Sequence, residues 1–337
     1  MIAIEYHADL KEVQSDAALA TLLSAEMQQA PFDRLAWWQG LAEHCGIAPL
    51  LAVARDGDAA AVLPLQRTAG GLSGLANWYS FRLRPVTSPG ADSAGLLTAL
   101  ARDLARRAKR VTLSGLPDED GSADLTEAAF RKAGWIALRE ACDTNHVLQL
   151  DGRSYGEYLA GRPGPLRTTL KRKSGKVETR IFNTFDAESW ADYEDIYAES
   201  WKPSEGSPDF LRAFAQAEGA AGRLRLGVAY AEGRAVAAQM WTVEGGTAFI
   251  HKLAHREAAK PLSPGTVLTA ALFAHTLRLD GVALVDFGTG NDGYKRDWME
   301  EVRPRFRFEM IRPEAPQNWP FLAKRALKRL AGRGKRG

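Results

Sequence analysis

Cysteine is almost missing from this sequence. Cys45 and Cys142 are the two present among 337 residues, and they form no C-x-x-C pair. That excludes a disulfide framework and a cysteine-ligated zinc site, and both thiols are expected to be buried. Apolar runs of about 18 residues are also missing, which excludes a membrane-spanning helix. The opening MIAIEYHADLKEV carries Glu5, Asp9 and Glu12 and has no basic stretch followed by an apolar run. No secretory signal is read there, and a cytosolic protein is expected. Neither a G-x-x-x-x-G-K-[ST] phosphate loop nor a G-x-S-x-G nucleophile elbow occurs, which removes two common enzyme classes. His251 and His255 stand four apart in HKLAH, without the glutamate of H-E-x-x-H or an evident third ligand, so no metal is expected.

The rest of the composition is globular. Hydrophobic residues make up 45% and charged residues 25%, which leaves little room for disorder. The length exceeds most single cores and favours two domains or one large one. The net charge of +3 hides an asymmetry: residues 316–337 hold seven cations and no acid, so the other 315 residues sum to +3 less 7, or −4. A second basic stretch, SYGEYLAGRPGPLRTTLKRKSGKVETR, concentrates Arg162, Arg167, Lys171, Arg172, Lys173, Lys176 and Arg180. It reads either as a solvated face or as a surface for a phosphorylated ligand or nucleic acid.

The pattern along the chain predicts an α+β protein. PLLAVARD and AAAVLPLQ meet at DGDA as a hairpin. AGLLTALARDLARRAKR has helical apolar spacing, RVTLSGLP is a strand, LTEAAFRKAGW a short helix, and NHVLQLD another strand. The second half repeats this grammar. AESWADYEDIYAESW and PDFLRAFAQAEGA are helical, and RLRLGVAYAEG and RAVAAQMWTVEGG form a hairpin. TAFIHKLAHRE continues the sheet, SPGTVLTAALFAHTLRLDG is a long helix, and VALVDFG a strand. YKRDWMEEV is a short helix and RFRFEMIR a last strand. Two copies of one unit is the economical reading. The expected division is 1–152, a basic connecting segment 153–185, 186–313, and a basic amphipathic tail 314–337.

The stretch DFGTGNDGYKRDWM at 286–299 contains a G-x-G-x-x-G pattern in Gly288, Gly290 and Gly293. A dinucleotide fingerprint needs those glycines to open a long amphipathic helix. Here only YKRDWMEEV follows before Pro304, so the pattern fails in context. A better anion cradle lies upstream. In KPLSPGTVLTAALFAHTL, Ser263, Pro264, Gly265 and Thr266 open a long apolar helix whose first N–H groups lack intrahelical partners. Ser263 as a simple helix cap is the competing reading.

The order strand HKLAHRE, loop KPLSPG, helix TVLTAALFAHTL, strand ALVDFG and helix YKRDWM resembles the GNAT acyltransferase fold. The more specific likeness is to its Fem-like branch, which carries two GNAT-like halves and ends in an aspartate–phenylalanine–glycine strand followed by an aromatic–lysine pair. Those are Asp286, Phe287 and Gly288, then Tyr294 and Lys295. The same elements occur in acyltransferases near bacterial polysaccharide and cellulose genes and in bacterial ceramide synthases. The resemblance covers residues 190–312 well and 30–150 in outline. It implies two GNAT-like domains, each a mixed central sheet flanked by helices. It also implies acyl-CoA held at Leu253, Ser263, Pro264, Gly265 and Thr266, with main chain around Phe249–Leu253 polarising the thioester carbonyl. The usual Q/R-x-x-G-x-G/A loop is reduced to KPLSPGT, which leaves the donor open among acyl-CoA, an acyl-carrier protein and the aminoacyl-tRNA of Fem enzymes proper.

Amine acylation needs a neutral amine, a stabilised oxyanion and a proton for the departing thiolate. His251 is a candidate base because an ordinary imidazole titrates near neutrality; a structural histidine is the alternative. Asp286 is expected to orient His251 or to act as the base. Tyr294 would protonate the thiolate, and Lys295 would neutralise phosphate or pair with a carboxylate. Trp241 and Trp298 read as core. In the tail NWPFLAKRALKRLAGRGKRG, apolar residues fall at spacings of three and four with cations between them, as in a helix lying on an anionic membrane. The preferred expectation is therefore an N-acyltransferase, peripheral at the inner face of the membrane, acting on a long-chain amino lipid as in ceramide synthesis. Acylation of an amino sugar or envelope polysaccharide precursor, an RNA-engaging Fem-type transferase and a non-catalytic module are the alternatives, with nucleic acid the less expected partner.

Overall fold

The structure, a computed structural model, describes residues 1–325. It contains two compact units that interleave in sequence. The first comprises residues 1–24, 47–142 and 304–325, and the second comprises Ala25–Gly46 and Asp143–Arg303. In chain order the elements of the first part are β1 (Ala3–His7), α1 (Leu10–Ser15), α2 (Ala17–Leu22), α3 (Leu35–His44), β2 (Pro49–Asp56), β3 (Ala59–Thr68), β4 (Gly71–Gly74), β5 (Val86–Thr87), α4 (Ser93–Arg107), β6 (Arg110–Pro117), α5 (Ser122–Lys132) and β7 (Ile136–Gln149). There follow α6 (Tyr155–Ala160), α7 (Gly164–Lys173), β8 (Glu178–Phe182), α8 (Ala187–Ala198), α9 (Pro208–Ala220), β9 (Leu224–Ala231), β10 (Arg234–Glu244), β11 (Thr247–His255), α10 (Pro264–Arg278), β12 (Leu284–Thr289), α11 (Lys295–Trp298) and β13 (Glu301–Ile311).

The two units share one topology. In the first, strands run β1-β2-β3-β4-β6-β13, with β4 and β6 parallel across the helix α4. In the second they run β8-β9-β10-β11-β12-β7, with β11 and β12 parallel across α10. Each unit is thus an antiparallel meander, a helical crossover and one closing strand. That closing strand comes from the other half of the sequence: residues of β7 from Asp143 on belong to the second unit, and β13 from Pro304 on to the first. The fold is mixed α/β with a mixed sheet flanked by helices, as the pattern of the sequence predicts.

Several elements differ in extent from the sequence reading. The stretch 153–185, read as a connecting segment, folds into α6, α7 and β8. A capping box starts α6, with Glu157 N–H donating to Ser154 Oγ and Ser154 N–H to Glu157 Oε2 at 2.8 Å. Leu166 and Leu170, four apart on α7, are buried. The helix predicted over YKRDWMEEV closes at Trp298, because Glu300 N–H donates to Val147 O and the chain enters the sheet. Cys45 is half-buried and Cys142 exposed, so the expectation of two buried thiols fails. Of the tail, residues 319–325 are helical and the rest of the predicted amphipathic helix lies outside the described residues. No helix among the described residues is long and apolar enough to cross a membrane.

Three rings fix the second unit around its cavity. Tyr158 of α6 stacks on Phe273 of α10 with centroids 5.1 Å apart, and Phe273 stacks on Trp298 of α11 at 5.2 Å. The Tyr158 hydroxyl also donates to Trp298 O at 2.8 Å. Arg162 lies over the Tyr158 ring and pairs with Glu300, which Arg153 also holds. Trp241 meets Phe273 edge-on from the sheet side, so both tryptophans read as core are core. Phe273→Ala removes the middle ring of this stack. It is expected to cost about 3–5 kcal/mol, read as a lowered urea midpoint.

Candidate functional site: a cavity at the start of a long helix

Strands β11 and β12 pair in parallel at Thr247–Leu284, Ala248–Val285 and Phe249–Asp286. Their register ends there, although β11 runs on to His255 and β12 to Thr289. Two bulges accompany the divergence. On β11, Trp241 faces Ile250 and Met240 faces Lys252, so His251 is an extra residue. On β12, the register with β7 shifts between Asp286 and Thr289. Gly288 and Gly290 take φ of 69° and 97° there, in the region that favours glycine. This is what two of the three glycines of DFGTGNDG are for.

The loop after β12 is braced from both signs of charge. Asp286 Oδ1 accepts from Gly288 N–H at 2.8 Å and from Asn145 Nδ2 at 3.0 Å. Lys295 Nζ donates to Gly288 O at 3.3 Å and Thr289 O at 2.5 Å. Gly290 N–H donates to Thr144 O and to Asp143 Oδ1. Burial lowers the Lys295 pKa, and the carboxylates of Asp292, Asp286 and Asp143 oppose that fall. Both Asp286 and Lys295 are buried.

Where the strands part lies a cavity of about 280 Å³. Leu253, Ala254 and His255 of β11 form one wall, Phe287, Tyr294, Asp297 and Trp298 another, and Ser263, Pro264, Gly265, Thr266 and Thr269 the floor. The five residues predicted for donor binding, Leu253, Ser263, Pro264, Gly265 and Thr266, thus meet in one place, together with Tyr294. Of the other predicted residues, His251, Asp286 and Lys295 do not line it. The helix start is open to a ligand. Ser263 is left-handed, with φ of 53°, and its side chain makes no cap. The first turn of α10 thus lines the cavity without a side-chain cap on its N–H groups. Gln239 steadies this turn, its Nε2 donating to Gly265 O at 3.1 Å and to Thr269 Oγ1 at 2.7 Å. An anion at this position meets backbone dipoles and the positive end of a 15-residue helix.

His251 occupies different surroundings. Its Nε2 lies 2.8 Å from Thr242 Oγ1, and Phe32, Trp37, Phe214 and Phe249 ring it. Burial pushes its pKa down to about 3. The imidazole is neutral at physiological pH but too weak a base to take a proton from an ammonium. The reading of a structural histidine fits these contacts better than that of a base. Tyr294 is shifted the other way: burial first, then Asp292, raises its pKa, so it keeps its proton. Its ring packs edge-on against Phe287 at 5.7 Å.

Sequence reasoning missed His255, Trp201 and Lys202. His255 lines the cavity, two residues from Leu253 on the same strand face, and that spacing could have found it. Its ring packs on Trp201 at 4.4 Å, its Nε2 has no hydrogen-bond partner among the described residues and lies 3.8 Å from Glu257 Oε1, and burial holds its pKa below the ordinary value. Lys202 is pushed down to about 8 by burial and then by Lys252, which itself pairs with Glu205 at 2.7 Å. No sequence pattern marks these lysines, because the loop carrying Lys202 meets β11 only in space.

Residues 165–296 match the family model described as the acetyltransferase (GNAT) domain. The second unit carries a GNAT-type acyltransferase domain. The chain is accordingly an enzyme of the N-acyltransferase kind, and the cavity at the start of α10 lies within the matched residues. A sequence search of curated proteins found no match. Solved structures are similar over nearly the whole chain. The C-terminal domain of a candidate lysylphosphatidylglycerol synthetase from Agrobacterium fabrum aligns with a TM-score of 0.59 at 13% identity, covering 95% of this chain and 98% of that one. FemX aligns with a TM-score of 0.59 at 11% identity, over 91% and 97%. A tandem GNAT protein from the clavulanic acid biosynthesis pathway aligns with a TM-score of 0.55 at 17% identity, over 94% and 100%. At these identities the likeness shows the fold, and the tandem GNAT structure supports two domains of this kind.

The aromatic enclosure of His251 has a direct readout. Because its folded pKa lies below the unfolded value, the unfolded chain binds the extra proton as pH falls below about 6.5, and stability declines in that direction. In a histidine-ring NMR titration from pH 8 to 4.5, the His251 resonances are expected to stay neutral throughout; protonation of His251 near pH 6.5 would contradict the enclosure.

Proposed function

We propose that this protein is an acyl-CoA-dependent N-acyltransferase that passes an acyl group from a thioester to a primary amine, the preferred acceptor being a long-chain amino lipid such as a sphingoid base. The observation that carries the reading is the cavity where β11 and β12 part, floored by the uncapped start of α10. The pyrophosphate of the donor would sit on the N–H groups of Gly265 and Thr266. Its pantetheine arm would run along Leu253 and Ala254 toward Phe287 and Tyr294. A cavity of this size, with Leu253, Ala254, Phe287 and Trp298 interspersed among its polar lining groups, suits such an arm.

The amine nitrogen attacks the thioester carbonyl carbon, a C–N bond forms, and the tetrahedral oxyanion collapses with cleavage of the C–S bond. The nitrogen loses one proton to water, the departing sulfur gains one, and water returns a proton to the group that supplied it. Tyr294, which lines the cavity, would give the sulfur its proton. Asp286 and Lys295 serve by holding the Gly288–Thr289 main chain in shape beneath it. Support for a lipid acceptor comes from the basic amphipathic spacing that begins at Trp319. A relative of this fold named for lysylphosphatidylglycerol synthesis adds a precedent for lipid chemistry.

Isothermal binding of acetyl-CoA, palmitoyl-CoA and free CoA tests the donor. The wild type is expected to bind with micromolar affinity and to favour the long chain. Gly265→Asp puts a carboxylate at the helix start, where it favours the helix but repels a phosphate; it is expected to weaken binding by about tenfold or more. No binding of any CoA species by the wild type would overturn the CoA-dependent reading. Tyr294→Phe is expected to lower kcat by about a hundredfold while leaving palmitoyl-CoA affinity unchanged, measured by amide formation and by binding.

A further inference from the structure

Between Glu157 and Glu178 the chain carries six cations and no acid. Two are committed inside the fold: Arg162 is buried on Glu300, and Lys173 Nζ donates to Pro261 O at 2.8 Å. Arg167, Lys171, Arg172 and Lys176 are exposed, and no carboxylate pairs with any of them among the described residues. They do not stand on a uniformly polar surface. Beside them runs a groove of about 520 Å³ with Tyr155 and Leu159 of α6, Leu170 of α7 and Ala270 of α10 along it, and Arg167 and Lys171 at its rim.

This groove adjoins the donor cavity. Leu166 lines the cavity and the next residue, Arg167, lines the groove; on α10, Thr269 lines the cavity and Ala270 the groove. The bond from Lys173 to Pro261 ties the end of α7 to the segment that leads into Ser263, beside the cavity residue Lys260. A partner on the groove would therefore stand next to residues that line the donor cavity.

An apolar floor with a cationic rim is complementary to an amphipathic helix bearing carboxylates. The nucleotide part of a thioester seated on α10 offers no apolar surface to such a floor. A nucleic acid would meet the cations but not the aliphatic side chains, and the net −4 of residues 1–315 is opposite to the usual charge of a nucleic-acid-binding domain. We propose that the face formed by α6, α7 and α10 docks an acidic acyl-carrier protein, which presents its phosphopantetheine-bound acyl chain to the donor cavity. The inference rests on the acyltransferase reading of that cavity and adds a second carrier of the same phosphopantetheine thioester beside acyl-CoA.

The test is binding of palmitoyl-loaded acyl-carrier protein to the full chain, with palmitoyl-CoA titrated in parallel, for the wild type and for Arg167→Glu/Lys171→Glu. Both side chains are exposed, and matching thermal melts would establish that the variant folds. Leu159→Asp serves as a second variant, addressing the apolar floor. The charge reversal is expected to raise the carrier-protein Kd by about tenfold or more and to leave the palmitoyl-CoA Kd within about twofold. A wild type that does not bind carrier protein, a variant that binds it equally well, a parallel loss of palmitoyl-CoA affinity, or displacement of the carrier protein by transfer RNA would each overturn the proposal. Carrier-protein binding by a wild type that ignores palmitoyl-CoA would support the docking face and contradict CoA as the donor.

Discussion

The second unit depends on two parallel strands that begin as neighbours and then separate. β11 and β12 share three register positions and part after Phe249 and Asp286, and a sheet cannot open in this way without help. Main-chain groups released from a ladder need other partners or a ligand, since an unmet buried amide or carbonyl is costly. The structure supplies partners on one side and leaves the cavity on the other. On the β12 side, Asp286 and Lys295 take up the groups of Gly288 and Thr289, and Asn145 donates to Asp286. On the cavity side, the start of α10 offers N–H groups of its own.

The charges near the cavity make sense as a consequence. Lys295 is buried and would tend to lose its proton, yet it has carbonyl acceptors and nearby carboxylates that favour the ammonium. Removing either partner of a buried charged hydrogen bond costs more than the bond itself contributes. That asymmetry accounts for an aspartate at the end of a strand and a lysine nine residues later without giving either one a role in bond making. Tyr294, between them in sequence, projects into the cavity instead. The short helix carrying it is held from below by the Tyr158–Phe273–Trp298 stack, so the position of a proton donor is set by apolar packing.

The sequence made some of this visible and hid the rest for physical reasons. The start of α10 was legible because Ser263, Pro264 and Gly265 before a long apolar run state where N–H groups lack partners. The repeat was legible because hairpin, strand, long helix and strand recur in the same order. The exchange of closing strands was not, because nothing in NHVLQLD or RFRFEMIR says which sheet it joins. The sequence left His251 open between base and structural histidine, because the bulge and the surrounding Phe32, Trp37 and Phe214 come from distant sequence. His255 was weighed only as a metal ligand and Trp201 not at all, because their contact joins a loop after α8 to the end of a strand.

The central claim is that a thioester donor occupies the opening between β11 and β12 with its phosphates on the first turn of α10. Amide hydrogen exchange with and without palmitoyl-CoA tests it most directly. The account predicts slowed exchange in peptides covering residues 253–256 and 263–269, with no change in the strands β1 to β3. Slowed exchange confined to other segments, with 263–269 unaffected at saturating ligand, would contradict it.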